Sequence, residues 1–198
     1  MVYEASEDTF LLWNAALKEL EYGPWDLEVR FLDMGAGSGY IGFEVLKLGL
    51  KNVTLVDVDS AAVAEMKKSK EAEDLPCTII ESNLFERVDG KFDIMVFNTP
   101  YLPDEPEGDA HDIALHGGPE GITVAQEFLK EAKDYLSKGG KIFLLASSLG
   151  NQKALQLYAQ SQGYQQRIVA REKHFFEELV VYELQRNTEA FDMQDQKQ

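Results

Sequence analysis

Phe31-Leu32-Asp33-Met34-Gly35-Ala36-Gly37-Ser38-Gly39 decides the fold. An apolar run carries an acid near its end, and three glycines follow at alternate positions. Tyr40 to Leu48 then places apolar residues at helical spacing and stops at Gly49. That is a buried strand, a tight turn and a helix. The glycines let the backbone approach a ligand closely, and a helix start presents free N–H groups.

Working outward, the pattern alternates helix and strand, the signature of an α/β fold. Residues 7 to 20 carry apolar positions at helical spacing. Val29 to Met34 and Val53 to Asp57 are the first two strands, with Ser60 capping a helix that runs to about Glu73. Cys77 to Ile80 is a short third strand and Phe92 to Phe97 a fourth. Thr123 to Leu136 is an amphipathic helix stopping before Gly139-Gly140, and Lys141 to Ala146 a fifth strand. Gln152 to Gln162 is a helix ended by Gly163. Two strands close the chain, Gln165 to Arg171 and Glu177 to Leu184, and their short connection makes them antiparallel. Residues 1–187 are expected to form one domain, with 1–24 as a helical segment packed on it and 188–198 as a disordered polar tail.

The 198 residues are 44% hydrophobic, enough for one domain with a full core. No run of eighteen apolar residues and no signal-type N-terminus is present, so a cytoplasmic protein with no membrane segment is expected. A single cysteine, Cys77, excludes an internal disulfide and a cysteine-rich zinc site, and three scattered histidines make no metal spacing. The formal net charge is −16, with nineteen basic against thirty-five acidic residues. That balance weighs against direct nucleic-acid binding. Residues 102 to 118 form a long loop with five acids and no Lys or Arg. It would either steer a basic substrate surface or simply be a solvated charge run.

A second stretch carries chemistry: Asn98-Thr99-Pro100-Tyr101, directly after the fourth strand. An Asn side chain offers a carbonyl acceptor, and the Thr99 backbone carbonyl a second. Pro100 pushes Thr99 towards extended backbone, and Tyr101 supplies a flat wall. Two acceptors beside an aromatic wall suit an amide or aromatic NH2 group. The glycine stretch alone leaves two cofactors open, because Gly37, Gly39 and Gly42 also satisfy the dinucleotide fingerprint. Asp33 lies where a pyrophosphate would pass and would repel it, whereas the ammonium of S-adenosylmethionine favours an acid there. Asp33, Asp57, Asn83 and Asn98 all fall at the carboxyl ends of strands, where open α/β sheets bind ligands.

These stretches resemble the class I methyltransferases with an Asn-Pro-Pro-Tyr motif, specifically the HemK-like glutamine methyltransferases. Tyr3-Glu4-Ala5-Ser6-Glu7-Asp8-Thr9-Phe10 is similar to the opening of the short branch found in archaea and eukaryotes, and Gly117-Gly118-Pro119-Glu120-Gly121 to the family's Gly-Gly-x-x-Gly. The bacterial enzymes carry an extra helical domain ahead of the cradle, which is not expected here. The resemblance implies a Rossmann-like seven-stranded, mostly parallel sheet with an antiparallel last strand and helices on both faces. It implies methyl transfer from S-adenosylmethionine to the glutamine amide of the Gly-Gly-Gln loop of a class I release factor.

Carried over by position, the resemblance implies that Thr9, Asp33, Gly35 and Gly37 meet the cofactor's amino-acid end. Asp57 would hold the ribose, and Asn83 and Leu84 the adenine. Asn98 would touch both cofactor and substrate, acting with Pro100 and Tyr101 at the reacting amide. A small zinc-ribbon activator protein is expected on the edge strand Cys77 to Ile80. The chain departs from the pattern at Ala5 and at Thr99, where the family has proline, and at Asn83, where it has Asp. An Asn-x-Pro-Tyr motif also resembles the rRNA adenine dimethyltransferases, so adenine N6-methylation stands as the alternative. A catalytically dead scaffold and a small-molecule methyltransferase are the further ones.

Overall fold

The computed structural model describes residues 5–102 and 117–187. The elements there run α1 Glu7–Tyr22, β1 Arg30–Met34, α2 Tyr40–Lys47, β2 Asn52–Asp57, α3 Ser60–Glu73, β3 Cys77–Glu81 and β4 Phe92–Asn98. They continue with α4 Thr123–Ala132, β5 Leu136–Ser147, α5 Gln152–Ser161, β6 Tyr164–Lys173 and β7 Glu178–Arg186. The strands make one seven-stranded sheet in the order β3-β2-β1-β4-β5-β7-β6. All pairings are parallel except those of β7, which runs antiparallel to both β5 and β6. The seven-stranded, mostly parallel sheet expected from the resemblance is the one observed.

Strand alternation sorts the apolar residues onto two faces. Leu32, Met34, Met95 and Phe97 face Phe128 and Leu129 of α4, while Phe31, Ile94 and Val96 face Leu12 and Ala16 of α1 and Val45 of α2. A central parallel strand is covered on both sides, which is why β1 and β4 read as nearly unbroken apolar runs. Burying each such Leu or Phe stabilises the fold by roughly 1.5–3 kcal/mol.

Two local expectations need correction. The fourth helix ends at Ala132, not Leu136. Leu136 is fully buried and starts β5 opposite Phe92, and Phe92 N–H donates to the Tyr135 carbonyl at 2.7 Å. Between the pairs Phe92↔Leu136 and Ile94↔Lys141, β5 advances five residues while β4 advances two, so Gly139-Gly140 sits inside a bulge. Burial of Leu136 overrides the helical periodicity. The cap of α3 is Asp59, whose Oδ1 accepts from Ala61 N at 2.8 Å, rather than Ser60. The acidic loop lies largely outside the described residues, as does the tail after 187.

Helix α1 is fixed to the sheet by charge as well as by packing. Lys141 Nζ of β5 lies 2.7 Å from Glu19 Oε2, and Glu19 Oε1 accepts from Trp25 Nε1 at 2.8 Å. Lys141 also sits 3.8 Å from Glu183 Oε1, and Arg167 donates to both Glu183 oxygens at 2.9 and 2.6 Å. Lys141 and both carboxylates are largely withdrawn from water, so removing the cation strands Glu19, while Glu183 keeps Arg167. Lys141→Ala should lower the unfolding free energy by about 3–5 kcal/mol in a urea titration. Lys141→Met with Glu19→Gln should recover most of that loss, and no recovery would show that packing alone seats α1.

Candidate active site

The upper rim of the sheet, at the carboxyl ends of β1, β2, β3 and β4, gathers the polar residues. Asp33 of β1 is buried, and its Oδ2 accepts from Gly42 N in the first turn of α2 at 2.9 Å. Asp57 ends β2; its Oδ2 accepts from Gly37 N at 2.7 Å and its Oδ1 from Asp59 N at 2.8 Å. The two acids therefore pin the glycine turn from beneath. Gly35 has φ +61°, and a Cβ there would come within 2.8 Å of the Phe97 ring. A side chain at Gly39, φ +80°, would meet Phe43, Leu55 and Met66. At Gly35 and Gly39 the cradle has room for glycine alone.

Burial pushes the Asp33 carboxyl up to about 7, with the Gly42 amide opposing and the neighbouring Asp57 charge adding to the rise. A cation placed on the cradle would reverse that shift. A pyrophosphate would worsen it.

On β3's side, Asn83 is exposed and its amide donates to Glu86 Oε1 at 3.1 Å, which turns Oδ1 into the acceptor the residue can offer. Leu84 is buried with φ +46°. A left-handed leucine costs about 1–2 kcal/mol, strain of the kind that collects at ligand sites.

The Asn-Thr-Pro-Tyr stretch is held by a buried Thr99 side-chain hydrogen bond and by close main-chain packing. Thr99 is buried, and its Oγ1 donates to the Leu145 carbonyl of β5 at 2.8 Å. This is a bond that proline could not make, and it anchors the motif at the departure from the family pattern. Gly117 and Gly121 press on the motif: a Cβ at Gly117 would lie 2.4 Å from the Pro100 carbonyl oxygen, and one at Gly121 2.3 Å from that of Tyr101. Gly150, ahead of α5, closes on Gly121 from the other side. Asn98 Oδ1 is buried and has no hydrogen-bond partner among the described residues. Such an acceptor costs about 1–3 kcal/mol unless a donor reaches it.

Helix α1 brings the remaining residues. Asp8 is buried; its Oδ1 accepts from Thr9 N at 2.6 Å and from Ser6 Oγ at 2.6 Å, and Tyr101 OH lies 3.5 Å from its Oδ2. Sequence reasoning gave Thr9 a role and passed over Asp8, which looks like an ordinary acid in a first helical turn. Its one signal is its place inside the Glu-Asp-Thr-Phe opening. Thr9, Asp8 and Tyr101 thus form one group, Asp33, Asp57 and the glycines a second, and Asn83 with Leu84 a third. Asn98 stands between the first two, since β4 is the neighbour of β1.

The residues present fit S-adenosylmethionine: acids under a glycine turn, an acceptor for an amino group beyond β3, and an orphan carbonyl beside the cradle. Fold and site together define a class I methyltransferase. Residues 16–176 match the model of the methyltransferase small domain. A Methanocaldococcus jannaschii protein with the provisional name protein N5-glutamine methyltransferase is 37% identical over 184 residues, covering 91% of this chain and 89% of that one. The release factor glutamine methyltransferase of Borreliella burgdorferi is 31% identical over 166 residues, 79% of this chain and 57% of its own length. This chain spans about half of such bacterial relatives.

Among solved structures, the E. cuniculi Mtq2–Trm112 complex, responsible for methylation of the eRF1 translation termination factor, superimposes with TM-score 0.74 at 22% identity, over 94% of this chain and 99% of that one. The T. thermophilus 16S rRNA methyltransferase RsmC, solved with AdoMet and guanosine, gives 0.65 at 25% identity, over 93% of this chain and 44% of that one. The chain belongs to the methyltransferase small domain family and, within it, to the protein N5-glutamine methyltransferases. Its cofactor is S-adenosylmethionine.

The raised Asp33 carboxyl has a consequence for stability. Its folded value, about 7, lies above an unfolded value near 4, so the folded state holds a proton that the unfolded state releases. The cofactor-free protein should lose stability as pH rises from about 4 through about 7. Asp33→Asn should flatten that slope in urea midpoints measured across the range; parallel slopes for the two proteins would refute the burial argument.

Proposed function

We propose that this protein methylates the side-chain amide of the glutamine in the Gly-Gly-Gln loop of a class I release factor, in the cytoplasm. The observation that carries the reading is Asn98 Oδ1 at the carboxyl end of β4, buried and without a hydrogen-bond partner among the described residues. It is an acceptor waiting for an N–H, and an amide NH2 has two. The Thr99 backbone carbonyl takes the second. The relatives named for glutamine methylation support this substrate over adenine.

S-adenosylmethionine supplies an electrophilic methyl group on a sulfonium. The chain's own work is to position and to polarise. Asp33 and the turn at Gly35 and Gly37 hold the cofactor's charged amino-acid end together with Thr9. Asp57 takes the ribose hydroxyls, and Asn83 and Leu84 the adenine. An amide nitrogen is a weak nucleophile, so alignment at about 3–3.5 Å, worth roughly 7–11 kcal/mol, carries much of the rate. As nitrogen gains positive charge, its N–H groups bind Asn98 Oδ1 and the Thr99 carbonyl more tightly than in the ground state. Tyr101 walls the amide, and Pro100 fixes the backbone between them. The methylated amide sheds its surplus N–H proton to water after transfer, so no residue needs to act as general base.

The methyltransferase unit runs through residues 1–187. A small zinc-ribbon partner docks on β3, the edge strand carrying Cys77 to Ile80. Support for that docking is the edge position itself, with Ile79 and Ile80 half-buried. Lys70 Nζ donates to the Cys77 carbonyl at 2.5 Å and covers one edge acceptor.

The test is transfer of labelled methyl from S-adenosylmethionine to purified release factor, with and without the co-expressed zinc-ribbon protein. Label should enter the Gly-Gly-Gln peptide and vanish when its glutamine is replaced. Label in nucleic acid instead would hand the enzyme to a base substrate. Asn98→Ala should bind the cofactor almost normally while turnover falls by roughly 10²–10³-fold, the usual loss for one removed transition-state hydrogen bond. Unchanged turnover would remove Asn98 from the mechanism.

A further inference from the structure

Phe175 and Phe176 are the most exposed large apolar residues of the described chain, at 92% and 85%. They form the turn between β6 and β7, packed on each other edge-to-face with ring centres 4.6 Å apart. The turn is braced, not loose. His174 N–H donates to the Glu177 carbonyl at 2.7 Å, Ser147 Oγ to Glu177 Oε1 at 2.5 Å, and Glu178 N–H to Ser148 Oγ at 2.8 Å. His174 Nδ1 also lies 3.4 Å from Glu7 Oε2, tying the turn to the start of the helix that carries Asp8 and Thr9. Two rigidly presented aromatic rings are what binding hot spots are made of, because little side-chain freedom is lost when they are covered.

Sheet register locates the pair relative to Asn98. Asn98 pairs with Leu145, and Leu145 with Val181. The turn is therefore two strands, about 10 Å, to the side of Asn98, and it begins at Glu177, four residues, about 13 Å, above its level. A small molecule held at Asn98 would not reach it; a polypeptide overhanging the site would. The β3 edge lies five strand spacings, roughly 24 Å, from β7 on the opposite flank. Whatever adds to that edge is thus not what covers the aromatic pair.

The charge around the turn is acidic. Glu7 and Glu172 flank His174, Glu177 lies in the turn, and Glu178 already engages Arg171 and Lys173 at 3.5 and 4.0 Å. Arg171 and Lys173, both well exposed, offset two of these four acids, and the acidic balance that remains favours Lys or Arg over a phosphate backbone.

Resting on the glutamine-methylation reading above, we propose that Phe175 and Phe176 are the docking anchor for the substrate protein itself. They engage an apolar pocket rimmed by basic residues, away from the loop that enters the site.

The test uses Phe175→Ser with Phe176→Ser in the full chain, alongside Phe175→Tyr with Phe176→Tyr. Circular dichroism, the unfolding midpoint and S-adenosylmethionine affinity should match wild type, since neither ring packs into the core. For intact release factor the serine variant should lose about tenfold in kcat/KM, through KM, as expected for a hot-spot pair. A short Gly-Gly-Gln peptide should be methylated equally by both proteins, and the tyrosine variant should behave as wild type on intact protein. If wild type methylates the release factor and the serine variant does so with the same KM, this inference alone falls. A kcat loss on peptide and protein alike would make the turn a determinant of site geometry and overturn docking. If wild type transfers no methyl to the release factor, the substrate reading fails and takes this inference with it. Sedimentation completes the test: a wild-type dimer dissociated by the serine changes would assign the pair to a second copy of the chain, against the proposal.

Discussion

Two carboxylates beneath one glycine turn set the terms for everything above the sheet. Asp33 and Asp57 sit on neighbouring parallel strands and accept main-chain N–H from Gly42 and Gly37. Those bonds give the turn its shape, and they also leave two acids in a poorly solvated place with no cation beside them among the described residues. The electrostatic need of the pair is for positive charge and hydroxyl donors, not for phosphate. That need, more than the glycine spacing, separates a sulfonium-and-ammonium cofactor from a dinucleotide. A glycine turn is compatible with either; buried negative charge is not.

The substrate side follows a different logic. There the geometry belongs to the main chain. Carbonyls of Pro100 and Tyr101 are packed against Gly117, Gly121 and Gly150 so closely that a single methyl group would displace them. The Thr99 hydroxyl adds a stitch to β5. With the backbone held on three sides, the Asn98 side chain keeps a buried acceptor that none of the described residues satisfies. The departure from the double-proline pattern is thereby absorbed: Thr99 exchanges ring rigidity for a hydrogen bond and leaves its carbonyl in place.

Much of this was readable before any coordinates. The strand-glycine-helix run, the sheet's βα alternation and the final antiparallel pair all follow from period and spacing, which are local. Legibility fails where a distant contact overrules a local preference. Residues 133–136 continue a helical pattern, yet Leu136 is worth more as a buried partner of Phe92. Asp59 takes the cap from Ser60 because its backbone is still extended, φ −78° and ψ 112°, while Ser60 is already in the helix, and its Oδ1 reaches Ala61 N. Asp8 could not be singled out, since nothing in the sequence says that Tyr101, ninety-three positions away, returns to within 3.5 Å. The glycines at 117 and 121 were visible as a motif, but their reason, the backbone crowding at Pro100 and Tyr101, exists only in three dimensions. The exposed aromatic turn reads in sequence as two more hydrophobic residues between strands.

The position of β7 shapes how a nascent chain completes this sheet. β7 lies between β5 and β6, although it follows both in sequence. Until residues 178–186 have left the ribosome, β5 has an open edge and β6 has no neighbour to pair with. β5 carries Phe143, Leu144 and Leu145 along that edge, the sort of apolar strand that recruits stray partners. Synthesis therefore holds the unfinished sheet in an adhesive form from the completion of β5 at Ser147 until β7 emerges, and insertion of that one late strand passivates it. Chains cut short before position 178 should for that reason be chaperone clients or aggregates, even though every cradle and motif residue has already been made.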